Sequence, residues 1–247
     1  MAFWGDYHTH TVYSHGKGCI EDNVLRAAKL GLKEIAVADH GFNHIVFNLR
    51  RSELPDMRRQ IENLKIKYPS ITVYLSVESN LLDRQGHIDI KPDDWKSLDM
   101  AVCGFHKLVF APPKSAAFFA ANLVGASSAK TVARNTDAYV NAVLKNDIDI
   151  LSHPGNFCKC DIRAVAQACR ARGTYFELNG KRIHLSDEEL AAAAAEDVEF
   201  VCSSDAHTPK RVGDFSVAVA AIERVGIPYE SVSNYERLPK FRSRENE

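Results

Sequence analysis

Short apolar runs recur along the chain, each followed by polar residues and then by a stretch with helical spacing. The runs are AFWGDYH (2–8), EIAVAD (34–39), ITVYLSV (71–77), DMAVCGF (99–105), IDILS (148–152), TYFELN (174–179) and EFVCSS (199–204). Their β-branched and aromatic content favours strands. Helical segments are predicted at 21–31, ending on Gly31, and at 52–68, with Ser52 as N-cap and Pro55 in the first turn. Further helices are predicted at 131–146, 161–173, 186–197 and 212–226. Alternation of this kind means parallel strands joined by helical crossovers. Seven strands predict a closed or nearly closed barrel, one strand short of a full eightfold one, with an open doubly wound sheet as the alternative. The long interval 107–130 is expected to form a mobile lid.

The polar residues that end these runs carry the chemistry. In DYHTHTVYSHGKG (6–18), His8 and His10 alternate on the first strand, so both rings leave the same face, and His15 follows in the loop. His40 follows the second run, Glu78 the third, His106 the fourth and His153 the fifth; Asp205 and His207 follow the seventh. In a parallel barrel all these positions lie at one mouth and converge on one pocket. Seven of the ten histidines map there, and buried imidazoles without partners are costly, so a metal site is the expectation. For any one of these histidines a capping or hydrogen-bonding role is the ordinary explanation; their shared topological position is what argues against it. Nine candidate ligands exceed the need of one tetrahedral ion and suit two or three, bridged by a carboxylate such as Glu78. Imidazole and carboxylate donors without thiolate favour Zn²⁺, with Mn²⁺ or Fe as alternatives.

Composition narrows the partners. The chain has 247 residues, 45% hydrophobic and 26% charged, with a net charge of −1. It is long enough for one large α/β domain, here taken as 1–247. Near-neutral charge offers no general field for long nucleic acid, and no segment is long and apolar enough to suggest a membrane span. Six cysteines without CxxC spacing, and no export signal, suggest reduced thiols and a cytoplasmic location. Cys158 and Cys160 form a CxC whose metal-binding reading is weak.

HTHTVYSHG near the N-terminus, ADHG after the second strand, SHPG at the fifth and SSDAH at the seventh resemble the PHP (polymerase and histidinol phosphatase) family, in order and over nearly the whole chain. The stand-alone bacterial phosphatases of that family are the nearer resemblance. It implies a distorted (β/α)₇ barrel, TIM-like, with a trinuclear metal site and phosphoesterase activity. Carried over, one ion takes His8, His10, Glu78 and Asp205. A second shares Glu78 and adds His106 and His153, and the third uses His15, His40 and His207. Glu78, Asp205 and His207 are expected at the catalytic centre.

The expected reaction is attack of a metal-bound hydroxide on the phosphorus of a small phosphomonoester. Histidinol-phosphate phosphatase and exonuclease activity are alternatives within the family. An amidohydrolase-like C–N hydrolase is disfavoured by Glu78 and His106 where a ligand lysine would be expected, and a metal-binding module without turnover is the non-enzymatic alternative. Asp39 is a candidate to fix the tautomer of a ligand imidazole. Lys107, beside His106, is the first choice for phosphate contact among Lys17, Arg50, Arg51, Lys107, Lys181, Arg182 and Lys210. Asn179 is a possible polar contact with substrate. His44, His87 and His184 are expected on the surface or in loops. The oligomeric state is not legible.

Overall fold

The computed structural model describes residues 3–242. All seven predicted strands form: β1 (Gly5–Thr9), β2 (Glu34–His40), β3 (Thr72–Asn80), β4 (Val102–Gly104), β5 (Ile150–Leu151), β6 (Tyr175–Asn179) and β7 (Phe200–Ser203). They are parallel neighbours in chain order. β1 and β7 meet through the Thr9–Ala206 bridge, where His10 N donates to Ala206 O at 2.8 Å. The sheet is therefore a TIM-like α/β barrel rather than an open sheet.

Both faces of each strand are buried, which is why the strands read as continuous apolar runs. Ile35, Val37, Val73, Leu75 and Val77 point outward to the helices, while Ala36, Ala38, Val102, Ile150 and Val201 fill the interior with Tyr7. Among the described residues seven α-helices cover the outside: α1 (Ile20–Lys29), α2 (Leu54–Lys67), α3 (Ala116–Leu123), α4 (Ala129–Lys145), α5 (Ile162–Arg172), α6 (Asp187–Ala194) and α7 (Ser216–Val225). α5 is started by Asp161, whose carboxylate accepts from Arg163 N and Ala164 N, and is ended by Gly173 at φ +65°.

Two local expectations change. Ser52 does not cap α2; it lies in a 3₁₀ turn (Arg51–Glu53), where Glu53 Oε2 instead accepts from Arg50 N. The interval 107–130 is not a lid over the pocket: it contains α3, pinned by buried Phe118 against Phe105 and by Asn122 paired with Asn135. None of its residues lines the cavity described below.

The segment after α7 completes the barrel seam. Asn234 is fully buried between β1 and β7; its Nδ2 donates to Gly5 O and Cys202 O, and its Oδ1 accepts from Cys202 N. Phe241 then packs edge-on against Tyr7, Tyr74 and Tyr175 at the N-terminal mouth.

Candidate metal centre

β1 presents consecutive residues to the barrel interior. Asp6 pairs with Ile35 but Thr9 with Val37, so three steps on β1 match two on β2. This bulge resets the alternation, so that Tyr7 faces the inner core while His8 and His10 face the C-terminal mouth. Their Nε2 atoms lie 3.1 Å apart. On β2, His40 shares the inward parity of Ala36 and Ala38; on β3, Glu78 shares that of Ser76.

Glu78 stands at the centre. Its Oε1 is 2.6 Å from His153 Nε2 and 3.3 Å from His106 Nε2. Its Oε2 is 3.0 Å from His40 Nδ1, 3.4 Å from His8 Nε2 and 3.8 Å from His10 Nε2. Asp205 Oδ1 lies 3.3 Å from His10 Nε2 and 3.3 Å from His207 Nδ1. Four groups of donor atoms are close enough to share an ion: His8–His10–Asp205, His8–Glu78–His153, His40–Glu78–His106 and His10–His40–His207.

The tautomers are set from behind. His8 Nδ1–H donates to Glu177 Oε1 at 2.7 Å, His106 Nδ1–H to Asn80 Oδ1 at 2.8 Å and His207 Nδ1–H to the Asp205 carbonyl at 2.9 Å. Asn80 is itself oriented, because its Nδ2 donates to Asp89. In each neutral ring the Nε2 lone pair then faces the cavity, the form a metal requires.

Burial and charge agree with a cation here. Burial pushes His10 down to about 3 and His40 well below the ordinary imidazole range. Burial also lowers His8 and His153, but the charges of Glu78, Glu177 and Asp205 overcome it and raise both. Glu78, although burial works against its charge, is held well below the carboxylate range by His106, His8 and His153. Glu78 Oε2 and His40 Nδ1, 3.0 Å apart, are both buried and neither makes a hydrogen bond. Buried orphan acceptors of this kind are rare in finished sites, and converging lone pairs at 3 Å repel unless a positive ion or proton lies between them. The residues fit a divalent metal cluster.

Above the cluster opens a cavity of about 410 Å³, walled by Phe47, Phe157, Lys181, Arg182 and His184 among others. His153, Phe157 and Asp205, all on its wall, have positive φ of 27°, 55° and 49°. Strained backbone of this kind persists where the surroundings over-determine it and clusters at functional sites.

A family model for the PHP domain matches residues 6–218. The chain belongs to the PHP family. A relative named probable phosphatase from Shewanella piezotolerans is 32% identical over 252 residues, covering 95% of this chain and 90% of the relative. Another of that name, from Caldanaerobacter subterraneus subsp. tengcongensis, is 30% identical over 93% of this chain and 86% of its own length. The histidinol phosphate phosphatase of Lactococcus lactis, solved with zinc, L-histidinol and phosphate, superimposes with a TM-score of 0.58 at 14% identity, over 92% of this chain and 95% of that one. A structure of the metal-dependent tyrosine phosphatases YwqE (Bacillus subtilis) and CpsB (Streptococcus pneumoniae) gives 0.50 at 15% identity, over 97% of this chain and 100% of that one. These two show a shared barrel.

Within this PHP barrel eight of the nine expected ligands enter these donor groups. His40 sits with Glu78 and His106 as well as with His10 and His207. His15 enters none of the four groups; its ring lies 4.2 Å from that of His207 and 4.8 Å from that of His40. Burial lowers it to about 4.

Other expectations are corrected. Asp39 fixes no imidazole: its carboxylate accepts from Thr11 N, Thr11 Oγ1 and Ser14 Oγ, and so shapes the loop leading to His15. His44 and His184 lie in loops, as expected, but both line the cavity and His44 is buried, whereas His87 is exposed beside Asp83. Lys107 does not line the cavity; its Nζ lies 3.8 Å from the ring centroid of Phe157. The cations on the cavity wall are Lys181 and Arg182, with Lys181 Nζ 3.6 Å from Asp205 Oδ2. Asn179 reaches the wall, but its amide is taken up by Glu177, Asp205 and the backbone N–H groups of Lys181 and Arg182. Cys158 and Cys160 are buried in the outer core, and burial pushes the Cys158 thiol up to about 12. Among the described residues neither enters a metal-type group, and no helix is long and apolar enough to cross a membrane.

Glu177, like Asn80 behind His106, is a residue that sequence reading missed. Beyond His8, its Oε2 accepts from His153 N at 2.7 Å. The available signal was an acid inside the apolar run TYFELN, at the same parity as Asn179.

Proposed function

We propose that this PHP-family chain, a metal-dependent phosphoric ester hydrolase, cleaves small phosphomonoesters in the cavity above Glu78, with three divalent ions held by the eight grouped residues at the strand ends and by His15 in the adjoining loop, whose ring lies 4.2 Å from that of His207. The observation that carries the reading is Glu78 itself, a fully buried carboxylate with five imidazoles within 4 Å. A single carboxylate facing donor groups on both oxygens is suited to bridging ions. Bound divalent ions would polarise phosphoryl oxygens and lower the pKa of a water to about 7.

The chain supplies the rest. Glu78 and Asp205 offset only part of the charge of such ions, leaving a floor that attracts a phosphate dianion. Lys181 and Arg182 extend the positive wall toward the mouth, where they would bind phosphoryl oxygens left free by the ions. Glu177, Asn80 and the Asp205 carbonyl keep His8, His106 and His207 in the ligating tautomer. Phe47 and Phe157 give the outer wall an apolar character that excludes water from the bound ester. The cavity volume falls in the range of small-molecule sites, and with a net charge of −1 a small ester is favoured over long nucleic acid.

The test is metal analysis of the purified protein, then hydrolysis of p-nitrophenyl phosphate and a panel of phosphomonoesters after loading with Zn²⁺, Mn²⁺ or Fe²⁺. Phosphate release that tracks metal content is expected. Full metal loading with no phosphate released from any ester would overturn the reading.

A further inference from the structure

His44 has the opposite hydrogen-bond polarity to the histidines with fixed ligating tautomers. His8, His106 and His207 each donate from Nδ1 and turn Nε2 inward. In His44, Nδ1 accepts, from Phe47 N at 3.1 Å and Val46 N at 3.3 Å. A nitrogen that accepts carries no proton, so the ring proton is on Nε2. The ring lines the cavity, with its centroid 5.0 Å from that of His40 and 5.8 Å from that of His106. It belongs to none of the four metal-type groups, and among the described residues its Nε2 makes no hydrogen bond to protein.

The loop that carries it is fixed from two sides. His44 N donates to Gly41 O, and His44 bridges Val109, with Ile45 N donating to Leu108 O at 2.9 Å. A neutral N–H donor is thus held at the edge of the cluster, beside His40 and His106. Ligation through Nε2 would require that nitrogen to lose its proton while Nδ1 still accepts two N–H groups, which only an imidazolate could do.

We propose that His44 is a substrate-binding residue whose Nε2–H donates a hydrogen bond to a phosphoryl oxygen. This rests on the phosphatase reading and adds to it a neutral donor on the wall of the cavity that Lys181 and Arg182 also line. Such a donor binds the dianion without adding a metal ligand and without competing for the ions.

Two substitutions separate the ring's two roles. His44→Asn keeps an acceptor near the Nδ1 position and removes the donor, whereas His44→Gln places an amide N–H near Nε2 and gives up the loop acceptor. Each variant and the wild type are purified with metal, and their metal content, thermal melting and binding of inorganic phosphate by calorimetry are measured. A hydrogen bond to a charged group predicts roughly ten- to hundredfold weaker phosphate binding for His44→Asn, with wild-type metal content and folding. His44→Gln is expected to stay within a few-fold of wild type. Metal loss in both variants would make His44 a ligand, and unchanged phosphate binding in a folded His44→Asn would leave it only a loop residue; either result overturns the proposal. A metal-loaded wild type that neither binds phosphate nor hydrolyses any ester would instead remove the phosphatase reading, and this inference with it.

Discussion

Glu177 holds two of the site's histidines at once, taking the Nδ1 proton of His8 on one oxygen and the backbone N–H of His153 on the other. Both of those residues face Glu78. Replacing Glu177 by Gln keeps the shape but removes the charge that makes His8 a strong donor set. Metal affinity is expected to fall about 10- to 100-fold, measured by competition with a chelator, while the fold is retained. Proton bookkeeping gives a second residue-scale prediction. In the metal-free chain the carboxylates raise His8 well above the ordinary imidazole range, so that it holds a proton near neutrality, and raise His153 as well, whereas burial keeps His10, at about 3, and His40 neutral. A metal must expel the raised protons but none from His10 or His40, so its affinity at the Glu78 cluster weakens as pH falls. Titrating metal into the metal-free protein at pH 7, in buffers of different ionisation enthalpy, should show at least one proton released per chain. Release of none would mean that His8 and His153 are both neutral.

Strand ends, rather than whole strands, decide what reaches the centre. β4 stops at Gly104, and a Cβ there would lie 2.4 Å from Ser152 Oγ, 2.7 Å from His153 Cε1 and 3.3 Å from Glu78 Oε1. Gly104→Ala is therefore expected to displace His153 from Glu78 and lower the metal content, with helical circular dichroism unchanged; full metal content would show that His153 can give way without loss. The strands themselves were legible because both their faces are buried, so each reads as an unbroken apolar run with a polar terminus. The same burial hides parity. Nothing in DYHTH announces the bulge that lets Tyr7 and His8 both face inward, and Glu177 lay inside a run rather than at its end. His44 was illegible for a different reason. Its position depends on the Val109 bridge, 65 residues further along the chain, and local sequence carries no such information. The interval 107–130 looked like a lid because its apolar residues, including Phe118, have no partner until Phe105 is folded beneath them.

At the scale of the whole molecule, a barrel of seven strands has to close where an eighth would stand. The direct contact of β1 with β7 lies near the catalytic mouth, at Thr9 and Ala206. Lower down, the Asn234 side chain spans the gap: it donates to Gly5 O at 2.8 Å and Cys202 O at 2.7 Å, and accepts from Cys202 N at 3.0 Å. The chain then continues to Phe241, which plugs the opposite mouth against Tyr7, Tyr74 and Tyr175. Asn234→Ala removes three buried hydrogen bonds and leaves Gly5 and Cys202 backbone groups unpaired, a loss of about 2–4 kcal/mol. For a chain of this length that corresponds to a fall in Tm of roughly 5–15 °C, read in the metal-free protein by thermal melting. The proposed metal ligands gather at the other mouth, around the Thr9–Ala206 bridge, so metal content and ester hydrolysis below the new melting temperature should match wild type. A variant that melts as wild type would show that the seam is held elsewhere. One that loses metal at temperatures where it is still folded would show that closure at the bottom of the barrel sets the spacing of His8 and Asp205 at the top.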